Sequence, residues 1–390
     1  MKKRKVYMDN SATTMVDPTV VKEMKKHMTI SYGNPASLHY YGEKANQSVE
    51  SSRKIIAESI NADNNEIYFT SGGTESNNWV LKSIAFQNLS KSKDHIITSK
   101  IEHSSVANTC LWLQDNGFKI TWLNTDSEGF VDLKQLKESI TQKTSIVSII
   151  HGNNEIGTIQ DLNSIGKLCA DNNVLFHTDA CQSHTKTHLD VEKYNVDFVT
   201  LNSHKIHGPK GVGALYAKKN SHISVWQHGG GQEFGKRSGT VNVHGIAGFA
   251  KAVELASDEK HIRFMTFLRD KLIRGVLDNI PGVKLNGPLG DKRLCNNANF
   301  SFSDIEGEAI GGYLNEKGIF SSTGSACSAR SLEPSHVLKA IGLSDAQANG
   351  SLRLSLSRFN TNEDVDYVIN ILPEIVKRLR KISPFSNEVI

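Results

Sequence analysis

Val174-Leu175-Phe176-His177-Thr178-Asp179-Ala180-Cys181-Gln182 is an apolar run that stops on a carboxylate. Roughly 25 residues later, Thr200-Leu201-Asn202-Ser203-His204-Lys205-Ile206-His207-Gly208-Pro209-Lys210-Gly211 stops a second run on a lysine, in a loop stiffened by Gly-Pro. Open α/β sheets bind ligands beyond the carboxyl ends of their strands. An acid at one strand end can hold a pyridinium nitrogen protonated, and a partly desolvated amine at the next suits Schiff-base formation. Upstream, Phe69-Thr70-Ser71-Gly72-Gly73-Thr74-Glu75-Ser76-Asn77-Asn78 follows a strand and opens a helix. Its glycines admit backbone N–H groups to an anion, and the helix N-terminus adds positive potential. Singly, these are an ordinary helix cap by Asp179, a Gly-Gly turn and a solvated lysine. Together, in this order and spacing, they point to a ring nitrogen, an aldehyde and a phosphate held at once, the three handles of pyridoxal phosphate (PLP).

Working outward, short β-rich runs alternate with helical patterns. Strands are expected at Glu66–Thr70, His95–Thr98, Ile120–Leu123, Ser145–His151, Val174–His177, Asp197–Leu201 and Gly213–Ala217. Several are continuously apolar, as strands covered on both faces must be. Helices are expected at Leu162–Ala170 and Glu43–Ile60, where Ala45, Val49, Ile56 and Ile60 share a face. This alternation predicts an α/β fold, a mostly parallel sheet with helices on both sides. Beyond about residue 255 the pattern changes to a long amphipathic helix over 258–279, a strand at Asn297–Phe302, and helices at Gly307–Glu316 and Asp364–Lys381.

At 390 residues the chain is long enough for two cores. With 38% hydrophobic and 22% charged residues it has a globular composition. A net charge of +4, from 45 basic and 41 acidic residues, is too balanced to argue for nucleic acid. The basic start Met1-Lys2-Lys3-Arg4-Lys5 is not followed by an apolar run, and no uncharged stretch could span a bilayer, so a cytoplasmic protein is expected. Cys110, Cys169, Cys181, Cys295 and Cys327 are odd in number and widely spaced, against a disulfide framework or structural zinc. Four of them read as small buried hydrophobes.

The combination of Asp179, Gln182 and Ser-His-Lys205-x-x-Gly-Pro-Lys-Gly resembles the fold-type I PLP enzymes of the class-V aminotransferase family, and specifically the group I cysteine desulfurases. The resemblance runs nearly end to end. It includes Tyr7-Met8-Asp9-Asn10-Ser11-Ala12-Thr13-Thr14, Tyr32-Gly33-Asn34-Pro35-Ala36-Ser37-Leu38-His39, Asn153-Asn154-Glu155-Ile156-Gly157, Gly229-Gly230-Gly231-Gln232-Glu233, Arg237-Ser238-Gly239-Thr240 and Ser325-Ala326-Cys327. It implies a seven-stranded sheet in a large PLP-binding domain over 16–257. A smaller α+β domain, from 1–15 and 258–390, would carry a cysteine loop at about 320–333.

The resemblance also implies a site. Lys205 holds the cofactor, Asp179 pairs with the pyridine nitrogen and Gln182 with the ring hydroxyl. His103, in Ile101-Glu102-His103-Ser104-Ser105, stacks on the ring and serves as acid–base group. Gly73, Thr74 and His204 bind phosphate, joined by Thr240 from the other subunit of a homodimer. Asn154 lies beside cofactor and substrate, and Arg353, in Leu352-Arg353-Leu354-Ser355, clamps the substrate carboxylate. One position departs from the pattern: Asn202 stands where relatives commonly have a phosphate-binding serine, and Ser203 follows it. Either the amide N–H replaces the hydroxyl or Ser203 turns in.

Phe320-Ser321-Ser322-Thr323-Gly324-Ser325-Ala326-Cys327-Ser328-Ala329-Arg330 is small, polar and aperiodic, and is expected to be an exposed, mobile loop. In the family this loop bears the thiol that takes sulfur from L-cysteine, leaving L-alanine and a persulfide. The resemblance implies no resident metal and leaves Cys327 open as a transient iron–sulfur ligand. The sulfur acceptor would be an iron–sulfur scaffold, a tRNA-thiolation protein or a DNA-phosphorothioation component. An aminotransferase or a selenocysteine lyase would use the same Lys205 and Asp179 without needing Cys327. A non-catalytic sulfur-relay protein would bind no coloured cofactor.

Overall fold

Ile96 and Ile97, Ile146 and Val147, and Phe198 and Val199 are sequence neighbours that serve different cores. Successive strand residues point to opposite faces of a sheet, so a continuously apolar strand feeds both. The molecule is a computed structural model that describes residues 4–90, 92–323 and 334–384. Its first stretch runs β1 (Val6–Tyr7), α1 (Pro18–Thr29), α2 (Tyr40–Glu58), β2 (Ile67–Thr70), α3 (Gly73–Leu89), β3 (His95–Ser99), α4 (Ser104–Asp115), β4 (Lys119–Leu123), α5 (Leu133–Ser139), β5 (Thr144–Ser148), α6 (Leu162–Asp171), β6 (Leu175–Asp179), β7 (Phe198–Asn202), β8 (Gly213–Ala217) and α7 (Val243–Ala256). All seven expected strands form, and they join in one seven-stranded sheet of order β2-β8-β7-β6-β5-β3-β4. Only β8 runs against its neighbours; the remaining pairs are parallel.

One face of this sheet packs on α2, α6 and α7 through Val49, Ile56, Ile165, Ile246 and Phe249. The other packs on α3 and α4 through Trp79, Ile84, Val106 and Leu113. Helix α2 begins at Tyr40, three residues before the expected start at Glu43. His39 caps it, its Nδ1 accepting from Gly42 N–H at 3.3 Å.

The chain continues with α8 (Glu259–Asn279), β9 (Val283–Leu285), β10 (Asn297–Phe302), α9 (Gly307–Glu316), β11 (Ile319–Phe320), α10 (His336–Ala340), α11 (Asp345–Asn349), β12 (Ser351–Ser355) and α12 (Asn362–Ile382). Strands β12, β10 and β9 form an antiparallel sheet. Its core unites Phe300 and Leu354 with Leu272, Leu314 and Val368 from α8, α9 and α12. Val6 and Met8 are buried in this same core, and β1 pairs in parallel with β11. Sequence periodicity identified only β10 here. β9 has three residues, too few for a period to declare itself, whereas β12 alternates Ser351, Leu352, Arg353, Leu354 and Ser355, a strand pattern that the sequence reading leaves unassigned. Phe320, assigned to an aperiodic loop, instead ends β11 and pairs with Tyr7. A small fourth core holds α10 (Val337, Leu338) against Ile101, Ile150 and Ile156 at the ends of the large sheet.

Candidate active site

Five strand ends converge on one cleft of about 230 Å3. β2 leads into the Gly72-Gly73-Thr74 turn, β3 into His103, β5 into Ile150 and Asn154, β6 ends on Asp179, and β7 on Asn202. Lys205 follows β7 in a single 3-10 turn. The parallel strands among them present their carboxyl ends on the same edge, which is why residues more than 100 positions apart meet there.

The phosphate-sized end rests on glycine. Gly72 caps α3 at φ 153°, ψ −177°, a region only glycine occupies freely. A Cβ at Gly73 would stand 2.5 Å from Cys181 Sγ. Asn202 lines this end, and its Oδ1 accepts from His204 N–H at 3.4 Å. Ser203 is fully buried and does not line the cleft; a Cβ built on Gly208 would lie 2.0 Å from its Oγ. The structure thus brings Asn202, and not Ser203, to the place where the sequence left two options.

Asp179 is buried, its Oδ1 accepting from Cys181 N–H at 2.9 Å and its Oδ2 from Asn77 Nδ2 at 2.7 Å. Gln182 donates from Nε2 to Ser11 O at 2.8 Å, while its buried Oε1 has no hydrogen-bond partner among the described residues. Lys205 Nζ donates to Ser11 O and Ala12 O at 2.6 and 2.7 Å, which fixes the amine against the N-terminal segment. His103 caps α4, with Nδ1 accepting from Ser105 N–H at 3.2 Å.

These features fit pyridoxal phosphate. There is a glycine cradle for an anion, a buried carboxylate for the ring nitrogen, an open acceptor on Gln182 for a ring hydroxyl, and an amine for the aldehyde. Burial and the nearby Lys205 push His204 down to about 3, and its Nδ1 lies 3.0 Å from Thr13 Oγ1. Burial, reinforced by Asp179, pushes the Cys181 thiol well above its ordinary range and keeps it protonated. Glu102, beside His103, is raised to about 8 by burial despite accepting from Ser99 Oγ and Ile150 N–H.

The opposite wall comes from the second sheet. Leu352 and Leu354 of β12 enter the smaller core, so Arg353 between them faces the cleft. Its guanidinium binds Asp9 at 3.0 Å and Asn154 O at 3.0 Å, and its buried Nε has no partner among the described residues. The segment bearing Cys327 lies outside the described residues; one of its flanks attaches to this wall and the other to the loops that follow β3 and β5 of the large sheet. Ser322 exchanges backbone hydrogen bonds with Arg353 at 2.7 and 3.2 Å. On the far side, Ser335 Oγ donates to Glu155 at 2.6 Å, and His336 Nε2 lies 2.9 Å from Glu102 O.

Gly73, Thr74, His103, Asn154, Asp179, Gln182, Asn202, His204, Lys205 and Arg353 all line the cleft. Thr240 does not; it is exposed, on a loop tied down by Arg53–Glu233 and Arg237–Glu75 ion pairs. Sequence reading gave no role to Ser11, Ala12, Asn77 or Ser105. Asn77 lies one helical turn after Thr74 and Ser105 two residues after the His103 cap, spacings that could have flagged both. Cys181, grouped with the bland buried thiols, also lines the cleft.

Residues 6–368 match the model of the aminotransferase class-V family. "Cysteine desulfurase IscS" of Clostridium botulinum is 49% identical over 98% of this chain and 96% of its own length. The protein of the same name from Methanosarcina thermophila is 50% identical over 98% and 94%. Among solved structures, a "NifS-like protein" superposes with a TM-score of 0.89 at 40% identity, covering 96% of this chain and all of that one. "SspA in complex with cysteine" superposes at 0.81 with 37% identity, covering 92% and 100%.

Proposed function

This chain belongs to the aminotransferase class-V family, within it to the cysteine desulfurases, and from that premise we propose how its residues divide the reaction. The activity is the pyridoxal-phosphate-dependent removal of sulfur from L-cysteine, leaving L-alanine. When bound, the cofactor withdraws electron density from the substrate α-carbon. Lys205 would hold the cofactor's aldehyde, and its Nζ, oriented by the Ser11 and Ala12 carbonyls, is the group placed to take the substrate α-proton. Asp179 holds the ring nitrogen, Gln182 the ring hydroxyl, and Gly73, Thr74, Asn202 and His204 the phosphate. Arg353 binds the substrate carboxylate, a task suited to a permanently charged fork. Cys327 thiolate attacks the substrate sulfur. An S–S bond forms, the substrate C–S bond breaks, and its electron pair stays with the carbon skeleton that becomes alanine.

The observation that carries this reading is the meeting of Lys205, Asp179, His103 and Arg353, from two different sheets, around one cleft. Purified protein should be coloured, keep its cofactor after borohydride, and form alanine from cysteine. Cys327→Ser should spare the absorbance and abolish alanine formation; full turnover in that variant refutes the assignment. A keto-acid product in place of alanine would mark an aminotransferase.

The proposal extends to a homodimer in which Thr240 completes the partner's phosphate site. Its support is the exposure of Thr240 beside the exposed Phe234, with the loop pinned by two ion pairs. Sedimentation should give twice the 43.0 kDa chain mass. We further read 16–257 as one domain and 1–15 with 258–390 as the other. The persulfide would pass to an iron–sulfur scaffold, a tRNA-thiolation protein or a DNA-phosphorothioation component. No helix among the described residues is long and apolar enough to cross a membrane. A cytoplasmic location is part of the proposal, in keeping with the unpaired thiols of Cys110, Cys169, Cys181 and Cys295.

A further inference from the structure

We infer that Asn77 and Ser105 are positioning residues that lock His103 into one tautomer, with its ring proton on Nε2. The argument starts from Asp179. A carboxylate accepts hydrogen bonds and cannot give them. Asn77 is fully buried, and the end of its amide facing Asp179 Oδ2 at 2.7 Å must therefore be the NH2 group. That same Nδ2 lies 2.8 Å from Ser105 Oγ, so the second amide proton goes to the serine oxygen. Ser105 Oγ, having accepted, must aim its own proton elsewhere, and His103 Nδ1 stands 2.8 Å away.

An independent constraint agrees. His103 is the N-cap of α4, and its Nδ1 accepts from the backbone N–H of Ser105 at 3.2 Å. A capping atom has to be an acceptor. Two donors thus converge on Nδ1, which leaves Nε2 to carry the proton of the neutral ring. The cost of this arrangement is visible: Asn77 Oδ1 is buried with no hydrogen-bond partner among the described residues. The amide forgoes its acceptor bond to keep both protons pointing along the chain.

Three hydrogen bonds therefore connect the carboxylate at the ring-nitrogen position to the imidazole at the ring face. His103 enters the reaction as an N–H donor at Nε2, its other nitrogen already committed. What His103 faces during turnover rests on the cofactor reading above; the tautomer is a property of the polypeptide.

Nitrogen NMR of histidine-labelled protein tests this, with the His103 signals identified by their loss in His103→Gln. At pH 8 the wild type should show a bare Nδ1 and a protonated Nε2, with and without cofactor. In the near-isosteric Asn77→Asp, the new carboxyl shares a proton with Asp179 and its other oxygen competes for the Ser105 hydroxyl, leaving the backbone N–H of Ser105 as the one remaining donor to Nδ1. A fraction of the Nδ1–H tautomer should then appear beside the Nε2–H form, and kcat should fall about ten-fold. In a Ser105→Ala background, Asn77→Asp should have no further effect on the tautomer. A wild-type Nδ1–H or doubly protonated ring, or an unchanged nitrogen pattern in Asn77→Asp, overturns the inference. A protein that cannot bind cofactor would sink the functional reading and leave the tautomer measurement standing.

Discussion

The two ends of the cleft are built differently. The cofactor end stands on consecutive strand ends of one sheet, where Asp179, Asn77, Ser105 and His103 hold one another through short bonds inside a single packed layer. The substrate end is assembled between sheets. Arg353 reaches across to Asp9 and Asn154, and the flank beyond the cysteine segment hangs on Ser335–Glu155 and His336–Glu102. Groups fixed within one sheet are held to the precision chemistry needs. Groups meeting across sheets can shift without unravelling either core. Damage at the first end should therefore appear in the chemical step, and damage at the second in substrate affinity.

The largest break in that contrast is Lys205→Ala. Alanine formation should fall by ~10³–10⁴-fold or more, and borohydride should no longer fix colour to the chain. Arg353→Ala should lower kcat/KM by about 10²-fold, chiefly through KM, with the cofactor spectrum intact. Lysine there should rescue little, because the fork is lost. An equal fall in kcat would erase the distinction between the two ends.

Acid should attack the cofactor end first. His151, His177 and His184 lie beneath or beside it, fully buried, and burial lowers them to about 3, 4 and 4. The unfolded chain takes up these protons near the ordinary value of about 6.5, before the folded chain can. Their stability contribution is whole above that pH and is lost as pH falls toward 4. The thermal midpoint should drop steeply between pH 6.5 and 4. His177→Gln should flatten the slope by up to ~1.4 kcal/mol per pH unit, and an unchanged slope would discount the buried histidines.

Ser335→Ala should raise KM a few-fold and leave the absorbance untouched, since it frees only one attachment of the cysteine segment's flank. The smallest effects separate two neighbours. Asn202→Ala should weaken cofactor binding about ten-fold. Ser203→Ala should leave it unchanged, because that hydroxyl is buried against Gly208 with no partner among the described residues. Equilibrium titration of cofactor-free protein distinguishes them, and a loss in Ser203→Ala would mean the serine does turn into the cleft.

Much of this was legible in the chain. Every strand of the large sheet declares itself, several as unbroken apolar runs because they are buried on both faces, and the edge strand β4 as a short β-rich run. The acid and the amine announce themselves by standing where those runs stop. Less legible were β9, too short to show a period, and the ordered start at Phe320, whose strand exists only because Tyr7 pairs with it; β12 carries a five-residue alternation that could have flagged it. Ser11 and Ala12 were unreadable as ligands of Lys205, since they act through backbone carbonyls that any residue carries.

By itself, the sequence determined the fold class, the strand ends that carry Asp179 and Lys205, and the thiol at Cys327 as the candidate sulfur acceptor. The first two follow from local pattern, which short-range sterics and hydrophobic burial fix, and the role of Cys327 from the family resemblance. Only the tertiary structure decided between Asn202 and Ser203, turned Arg353 into the cleft, and joined Asn77 and Ser105 to His103. Each of those outcomes depends on which atom of a distant residue lies within about 3 Å, and hydrogen bonds, unlike burial, are directional.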